Sequence, residues 1–185
     1  MSIKLSFLVG DITRQEVDVV VNAANPELGG GSGVNGAIRR AGGPEIQEYC
    51  QKIRATTHPK GLSVGQSVIT PGGKLPAKWV IHTVGPKYGQ HDGKEAELLA
   101  SCYRTALELA EAHKLMSIAF PAISTGVYFY PENEAAAVSS RAVRDKLPEL
   151  RSIQDIRFVF SSEASLKKFK KNSVLHAVPT PRLAS

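Results

Sequence analysis

Cysteine is scarce in this 185-residue chain: Cys50 and Cys102 stand far apart, with no C-x-x-C pair and no Cys/His cluster. That spacing excludes a disulfide framework and a zinc module, and both residues read as small buried apolar side chains. Long hydrophobic runs are missing too. No segment is apolar enough to span a bilayer and no signal-peptide pattern is present, so a soluble cytoplasmic protein without a membrane partner is expected. No internal repeat appears, and a monomer is the default. What the chain does have is a globular balance, 42% hydrophobic and 22% charged, in a length that suits one domain with a sizeable core. Its formal net charge is +6. That favours anionic partners, whether nucleic acid, nucleotides or phosphorylated metabolites, and is also compatible with a merely solvated basic surface.

Short β-rich runs alternate with helical segments. "IKLSFLV" alternates apolar and polar residues as a strand does, and "VDVVVNAA" is the near-continuous β-branched run of a strand buried on both faces. "QSVIT", "KWVIHTV", "SIAF" and "IRFVF" read the same way. Leu99, Tyr103, Ala106, Leu107 and Ala110 fall on one face of a helix, and "ENEAAAVSSRAVRDKL" forms another, with Pro131 just before it as a first-turn residue. Such alternation implies an α/β layered domain with a parallel or mixed sheet. The domain is expected over residues 1–171. Residues 172–185, the end of a lysine-rich and then proline-containing stretch without periodicity, are expected to form a loosely ordered tail.

Ligands of open α/β sheets bind at the carboxyl ends of the strands, so the residues that follow each strand are the candidates. They are "VGDIT", "NAANPELGGGSGVNGAIRR", "TVGP", "PAISTGVYFYP" and "SSE". The second contains G-x-G-x-x-G at Gly31, Gly33 and Gly36, yet it is no dinucleotide fingerprint. Nine residues separate the strand from Gly31, and Gln51 stands twenty positions on, where an acidic residue is needed. Two loops rich in Gly, Ser, Thr and Asn could instead wrap a diphosphate with backbone N–H groups, while an acidic residue at another strand end accepts from an amino or hydroxyl group. Each feature also has a plain structural reading: a turn, a helix cap, a packing aromatic. His82, inside an apolar strand pattern, reads as a satisfied core histidine.

Five segments together resemble the macrodomain family, in the branch of MacroD-type ADP-ribosyl hydrolases and O-acetyl-ADP-ribose deacetylases. They are "GDIT" from Gly10, "VVVNAANPEL" from Val19, "GVNGAIRRAGGP" from Gly33, "LPAKWVIHTVGP" from Leu75 and "SIAFPAISTGVY" from Ser117, in the family's order and spacing. The resemblance implies a three-layer α/β/α domain with a mixed, largely parallel sheet of about six or seven strands, needing neither metal nor cofactor. It implies that Asp11 accepts from the adenine amino group, with Ile12 beside it and Phe160 near the ring. Ser124, Thr125, Gly126, Val127 and Tyr128 would cover the diphosphate. Asn25 would hold the distal ribose, and Gly31, Gly33 and Val34 would line the opposite side.

Departures from the family pattern bear on activity. Asn35 stands where MacroD-type hydrolases carry aspartate, Ser32 replaces a glycine, Arg39 a histidine and Phe129 a glycine. A carboxamide has no useful basicity near neutral pH. The resemblance therefore implies either hydrolysis through a water held by the substrate's own diphosphate, with Asn25 and Asn35 as the catalytic candidates, or a reader of ADP-ribose that does not turn it over. Partners are expected to be ADP-ribose or ADP-ribosylated protein, with poly-ADP-ribose or RNA as secondary ligands. A dedicated nucleic-acid module is the weaker expectation, since basic and aromatic residues are not interleaved.

Overall fold

A computed structural model describes residues 2–176. Six strands form one sheet: β1 (Lys4–Val9), β2 (Val19–Ala24), β3 (Ser67–Pro71), β4 (Trp79–Val84), β5 (Ser117–Phe120) and β6 (Asp155–Phe160), in the order β1-β6-β5-β2-β4-β3. Every pairing is parallel except that of β3 with β4. The helices are α1 (Gly33–Gly42), α2 (Pro44–Ala55), α3 (Glu95–Ala112), α4 (Glu132–Lys146) and α5 (Glu163–Asn172). The mixed three-layer architecture expected from the sequence is what forms.

Because side chains alternate along a strand, the β-branched runs feed two separate cores. Val19, Val21, Ile81, Ile118, Phe120, Ile156 and Phe158 join Leu99, Tyr103, Ala106 and Leu107 of α3, with α4 and α5, on one face. Val20, Val80, Ala119 and Val159 join Ile38 of α1 and Ile46 and Cys50 of α2 on the other. Both cysteines are free and buried. His82 is fully buried in β4 and hydrogen-bonded at both ring nitrogens, as a core histidine should be.

Two details differ from the sequence reading. Pro131 sits at the N-cap of α4, one residue ahead of its first turn. The lysine-rich stretch does begin with periodicity: Lys167 to Lys171 lie in α5, where Leu166 and Phe169 bury one edge. Only two apolar residues mark that face, too few to stand out among four lysines. Of the expected tail, Leu175 is buried and the Val174 N–H donates to Ser140 Oγ at 3.0 Å. Residues 177–185 lie outside the described residues.

Phe158 centres an aromatic cluster, with Phe7, Phe120 and Phe169 at ring-centroid distances of 5.5, 5.8 and 4.9 Å. Phe158→Ala should lower unfolding stability by about 3–5 kcal/mol, read as a lower denaturation midpoint at unchanged slope. A loss under about 1 kcal/mol would mean the cluster is not a core element.

Candidate ligand-binding cleft

Strands β2 and β5 are neighbours, but their chains leave for opposite faces. From β2 the chain runs to α1 and α2; from β5 it runs to α4. A crevice must open between loops that diverge in this way, and it lies outside the carboxyl ends of the strands. Here it is a cleft of about 580 Å³. Seven of the residues singled out from sequence line it: Asp11, Ile12, Gly33, Val34, Thr125, Gly126 and Phe160. Asn25 and Tyr128 line a second pocket farther along, over β2 and β4. Gly31 adjoins Asn25 and Asn35. Val127 points to solvent, Ser124 is buried, and neither borders the cleft.

One end of the cleft is shaped by Asp11, which caps a short 3-10 turn (Ile12–Arg14). Its Oδ1 accepts from the Thr13 N–H at 2.9 Å and the Thr13 hydroxyl at 2.7 Å. Those bonds hold its carboxyl below the usual range. Oδ2 faces only the exposed Arg14 at 3.8 Å, so an ionised acceptor stays open to a ligand. Ile12 and Phe160 supply apolar walls beside it, and Phe160 is braced from behind by Phe169 at 4.9 Å.

The middle of the cleft is backbone. Ser32 stands at the N-cap of α1 but its side chain makes no cap. The first intrahelical bond runs from the Gly36 N–H to the Ser32 carbonyl. Among the described residues, the N–H groups of Gly33, Val34 and Asn35 therefore have no protein acceptor, at the positive end of a helix dipole. Opposite them, the loop after β5 closes on itself: the Tyr130 N–H donates to Ser124 O at 2.9 Å and the Phe129 N–H to Gly126 O at 3.0 Å. Among the described residues, the N–H groups of Gly126, Val127 and Tyr128 donate to no protein acceptor. Segments with free donors thus border one space through Gly33, Val34 and Gly126, an arrangement suited to an anion with several oxygens.

Asn25 and Asn35 fasten the glycine wall. Asn25 Oδ1 accepts from the Gly29 N–H at 2.9 Å, and its Nδ2 donates to Gly30 O at 3.2 Å. Asn35 is buried. Its Nδ2 donates to Gly29 O at 3.0 Å, while its Oδ1 accepts from Asn22 Nδ2 at 2.9 Å and from Arg39 Nε at 3.0 Å. Gly31 packs so close that a Cβ there would lie 2.8 Å from Asn35 Nδ2. Arg39 also donates to Leu28 O at 2.9 Å and to the Gln47 carboxamide. The second Asn22 N–H donates to His82 Nδ1 at 3.1 Å, which leaves Nε2 to donate to Thr70 Oγ1 at 2.9 Å. The amide at position 35 faces this interior network, which a sequence cannot reveal.

Phe129 has φ 58° and is 80% exposed, and the buried Ser124 has φ 68° with its hydroxyl unpartnered among the described residues. Both stand in the left-handed region that costs a side chain about 1–2 kcal/mol. The bulk of Phe129 is turned outward. Sequence reasoning passed over Glu132, which lines the cleft and accepts from Ser165 Oγ at 2.6 Å with Lys168 Nζ at 3.1 Å. It opens a helix, and its signal was indistinguishable from an ordinary first-turn acid. Among the described residues no cluster of three or more His, Cys, Asp or Glu could hold a metal ion, and no helix is long and apolar enough to cross a membrane.

The Macro domain family pattern matches residues 21–139. The chain is 47% identical over 171 residues to a Salmonella gallinarum protein named O-acetyl-ADP-ribose deacetylase, covering 92% of this chain and 94% of that one. It is 47% identical over 162 residues to a Streptomyces griseus macro domain-containing protein, covering 88% and 90%. A mutant Oceanobacillus iheyensis macrodomain with ADPR superposes with a TM-score of 0.88 at 44% identity, covering 91% of this chain and 90% of that one. The chain belongs to the macrodomain family.

The network beneath the wall has a pH signature. Burial and the nearby Arg39 charge push His82 down from 6.5 to about 3. Below pH 6.5 the unfolded chain binds a proton there that the native state refuses, so this contribution is intact above 6.5 and is lost as the pH falls toward 3. It should remove about 2 kcal/mol of stability between pH 7 and pH 5. Denaturation at the two pH values, with NMR showing a neutral His82 ring at pH 5, is the check. A protonated ring at pH 5 in the native protein would contradict it.

Proposed function

We propose that the chain binds ADP-ribose and hydrolyses ADP-ribose conjugates, either mono-ADP-ribosyl esters of protein carboxylates or O-acetyl-ADP-ribose. One observation carries this reading: unpaired N–H groups stand both at the start of α1 and in the loop after β5, and Gly33, Val34 and Gly126 of those two segments line the same cleft. Such donors suit a diphosphate. At the Asp11 end of the cleft the adenine amino group donates to Asp11 Oδ2, and the ring lies against Ile12 and Phe160. The diphosphate takes the free N–H groups, and the distal ribose reaches Asn25 and Tyr128. The relatives named for O-acetyl-ADP-ribose deacetylase activity support hydrolysis as the outcome.

In this reading a water sits between the diphosphate and the distal ribose. Its oxygen attacks the ester carbonyl carbon as one proton passes to a diphosphate oxygen; the bond from that carbon to the ribose oxygen then breaks, the leaving ribose oxygen takes the proton back from the diphosphate, and free ADP-ribose and a carboxylic acid result. The protein contributes position and electrostatics: donors already aimed at the anion, with no reorganisation required. Asn25 holds the turn that presents the ribose. Asn35 contributes through the wall that it fastens.

The test pairs calorimetry with mass spectrometry on an ADP-ribosylated glutamyl peptide and on O-acetyl-ADP-ribose. Binding of ADP-ribose with release of free ADP-ribose from either ester is expected. Asn25→Ala should lower kcat by about tenfold or more, and weaken ADP-ribose binding only about threefold. Equal losses in both would make Asn25 a binding residue only.

A reader that binds without turnover is the second reading, favoured by the amide at position 35 and its engagement by Arg39. Asn35→Asp separates the two accounts of that position. A carboxylate there lies against Arg39 and Asn22 and faces the Gly29 carbonyl, away from any water in the cleft. Turnover of Asn35→Asp should stay at or below wild type, and a several-fold rise would show that a carboxylate at this position reaches the attacking water.

A further inference from the structure

The strand order carries the cleft past the distal ribose. Asp11 follows β1 and Phe160 ends β6 at one side of the sheet, the loop after β5 and Asn25 after β2 come next, and the loop after β4 lies beyond them. Over β2 and β4 opens a second pocket of about 370 Å³, lined by Asn25, Glu27, Val64, Lys87, Gln90, His91 and Tyr128 among others. Asn25 and Tyr128 border this space, which places it next to the carbon that bears the ester in the proposed complex. We infer that it is the subsite for the esterified group, shaped for an acidic side chain within a polypeptide rather than for acetyl; this rests on the function proposed above.

Size and chemistry both favour that occupant. An acetyl group has three heavy atoms and fills roughly the volume of two waters, about 60 Å³. It would leave most of the pocket to solvent. A glutamyl or aspartyl side chain with its flanking backbone fills far more of it. Its carbonyls need donors, and the pocket offers the Lys87 ammonium, the Gln90 carboxamide and the His91 ring. His91 Nε2 accepts from the Lys87 N–H at 3.1 Å, so the neutral ring carries its proton on Nδ1.

The wall is built. The Tyr88 N–H donates to Tyr128 O at 2.9 Å, which ties the loop after β4 to the loop after β5. Gly85 lets the two approach, since a Cβ there would lie 2.2 Å from Ser124 Oγ. The His91 N–H donates to Glu95 Oε1 at 2.9 Å, Gln90 turns back on Lys87 O at 3.2 Å, and Lys94 on His91 O at 3.0 Å. Lys87 Nζ lies 5.5 Å from the centre of the Tyr128 ring. Peptide and ribose contacts thus meet at a single side chain.

Gln90→Trp fills the pocket from an exposed position, and the quantity to measure on the full chain is the ratio of kcat/KM for an ADP-ribosylated glutamyl peptide to that for O-acetyl-ADP-ribose. The ratio should fall about tenfold or more in Gln90→Trp, and about threefold to tenfold in Lys87→Ala. An unchanged ratio in both variants would overturn the subsite, whatever happens to the separate rates. If wild type hydrolyses neither ester, the function proposed above fails as an enzyme reading but the subsite is still tested by binding. Wild type should then hold the ADP-ribosyl peptide more tightly than free ADP-ribose, with Gln90→Trp removing the difference. Equal wild-type affinities for the two would overturn it independently.

Discussion

The site depends on the divergence of two adjacent parallel strands. β2 and β5 pair side by side, yet one feeds helices on one face of the sheet and the other feeds a helix on the opposite face. No side chain can fill the gap above both strand ends, because each loop is drawn away by the core to which its helix belongs. The same burial that stabilises the two cores therefore leaves the crevice open. It also determines which backbone groups stand at its rim: the start of α1 on one side and the loop before α4 on the other.

The positive potential in the cleft comes from peptide groups, since the ionised side chains that line it, Asp11 and Glu132, are both acidic. Unpaired N–H donors at a helix start attract an anion without the desolvation cost of a buried ammonium or guanidinium. Arg39 lies behind the glycine wall, bound to Asn35 and Leu28 O, where it braces the turn. The amide at position 35 suits that arrangement. It accepts twice and donates once, and a carboxylate could not make the donation to Gly29 O. His82 stays neutral beneath it, so the layer is held by oriented dipoles around one cation.

Strain is concentrated in the loop after β5. Ser124 and Phe129, both with positive φ, bracket the stretch that carries the free N–H groups. Left-handed residues of this kind persist where surrounding structure over-determines them. Here the over-determination is visible: Tyr130 and Phe129 each donate back across the loop, Thr125 Oγ1 donates to Ala122 O, and Tyr88 ties in from the neighbouring loop. The outward Phe129 leaves the cleft unobstructed.

All six strands were legible because β-branched runs and period-two alternation are local properties, and so were α3 and α4 with their apolar stripes. Asp11, Gly33, Thr125 and Gly126 were legible as residues that follow strands, since a parallel sheet collects all such positions at one edge. α5 was not, because its buried face comprises only Leu166 and Phe169. The roles of Asn35 and Arg39 were not legible either. From sequence they are two substitutions in a family pattern, and only packing shows that they bond each other and turn inward. Nor could the pocket beyond Tyr128 be read, for Val64, Lys87, Gln90 and His91 carry no common motif. The sequence by itself determined the strands, the layers and the sheet edge where the cleft opens, because hydrophobic periodicity and turn chemistry act over a few residues. Only the tertiary structure decided which side chains line the cleft and which hold its wall, because those contacts join residues far apart in the chain.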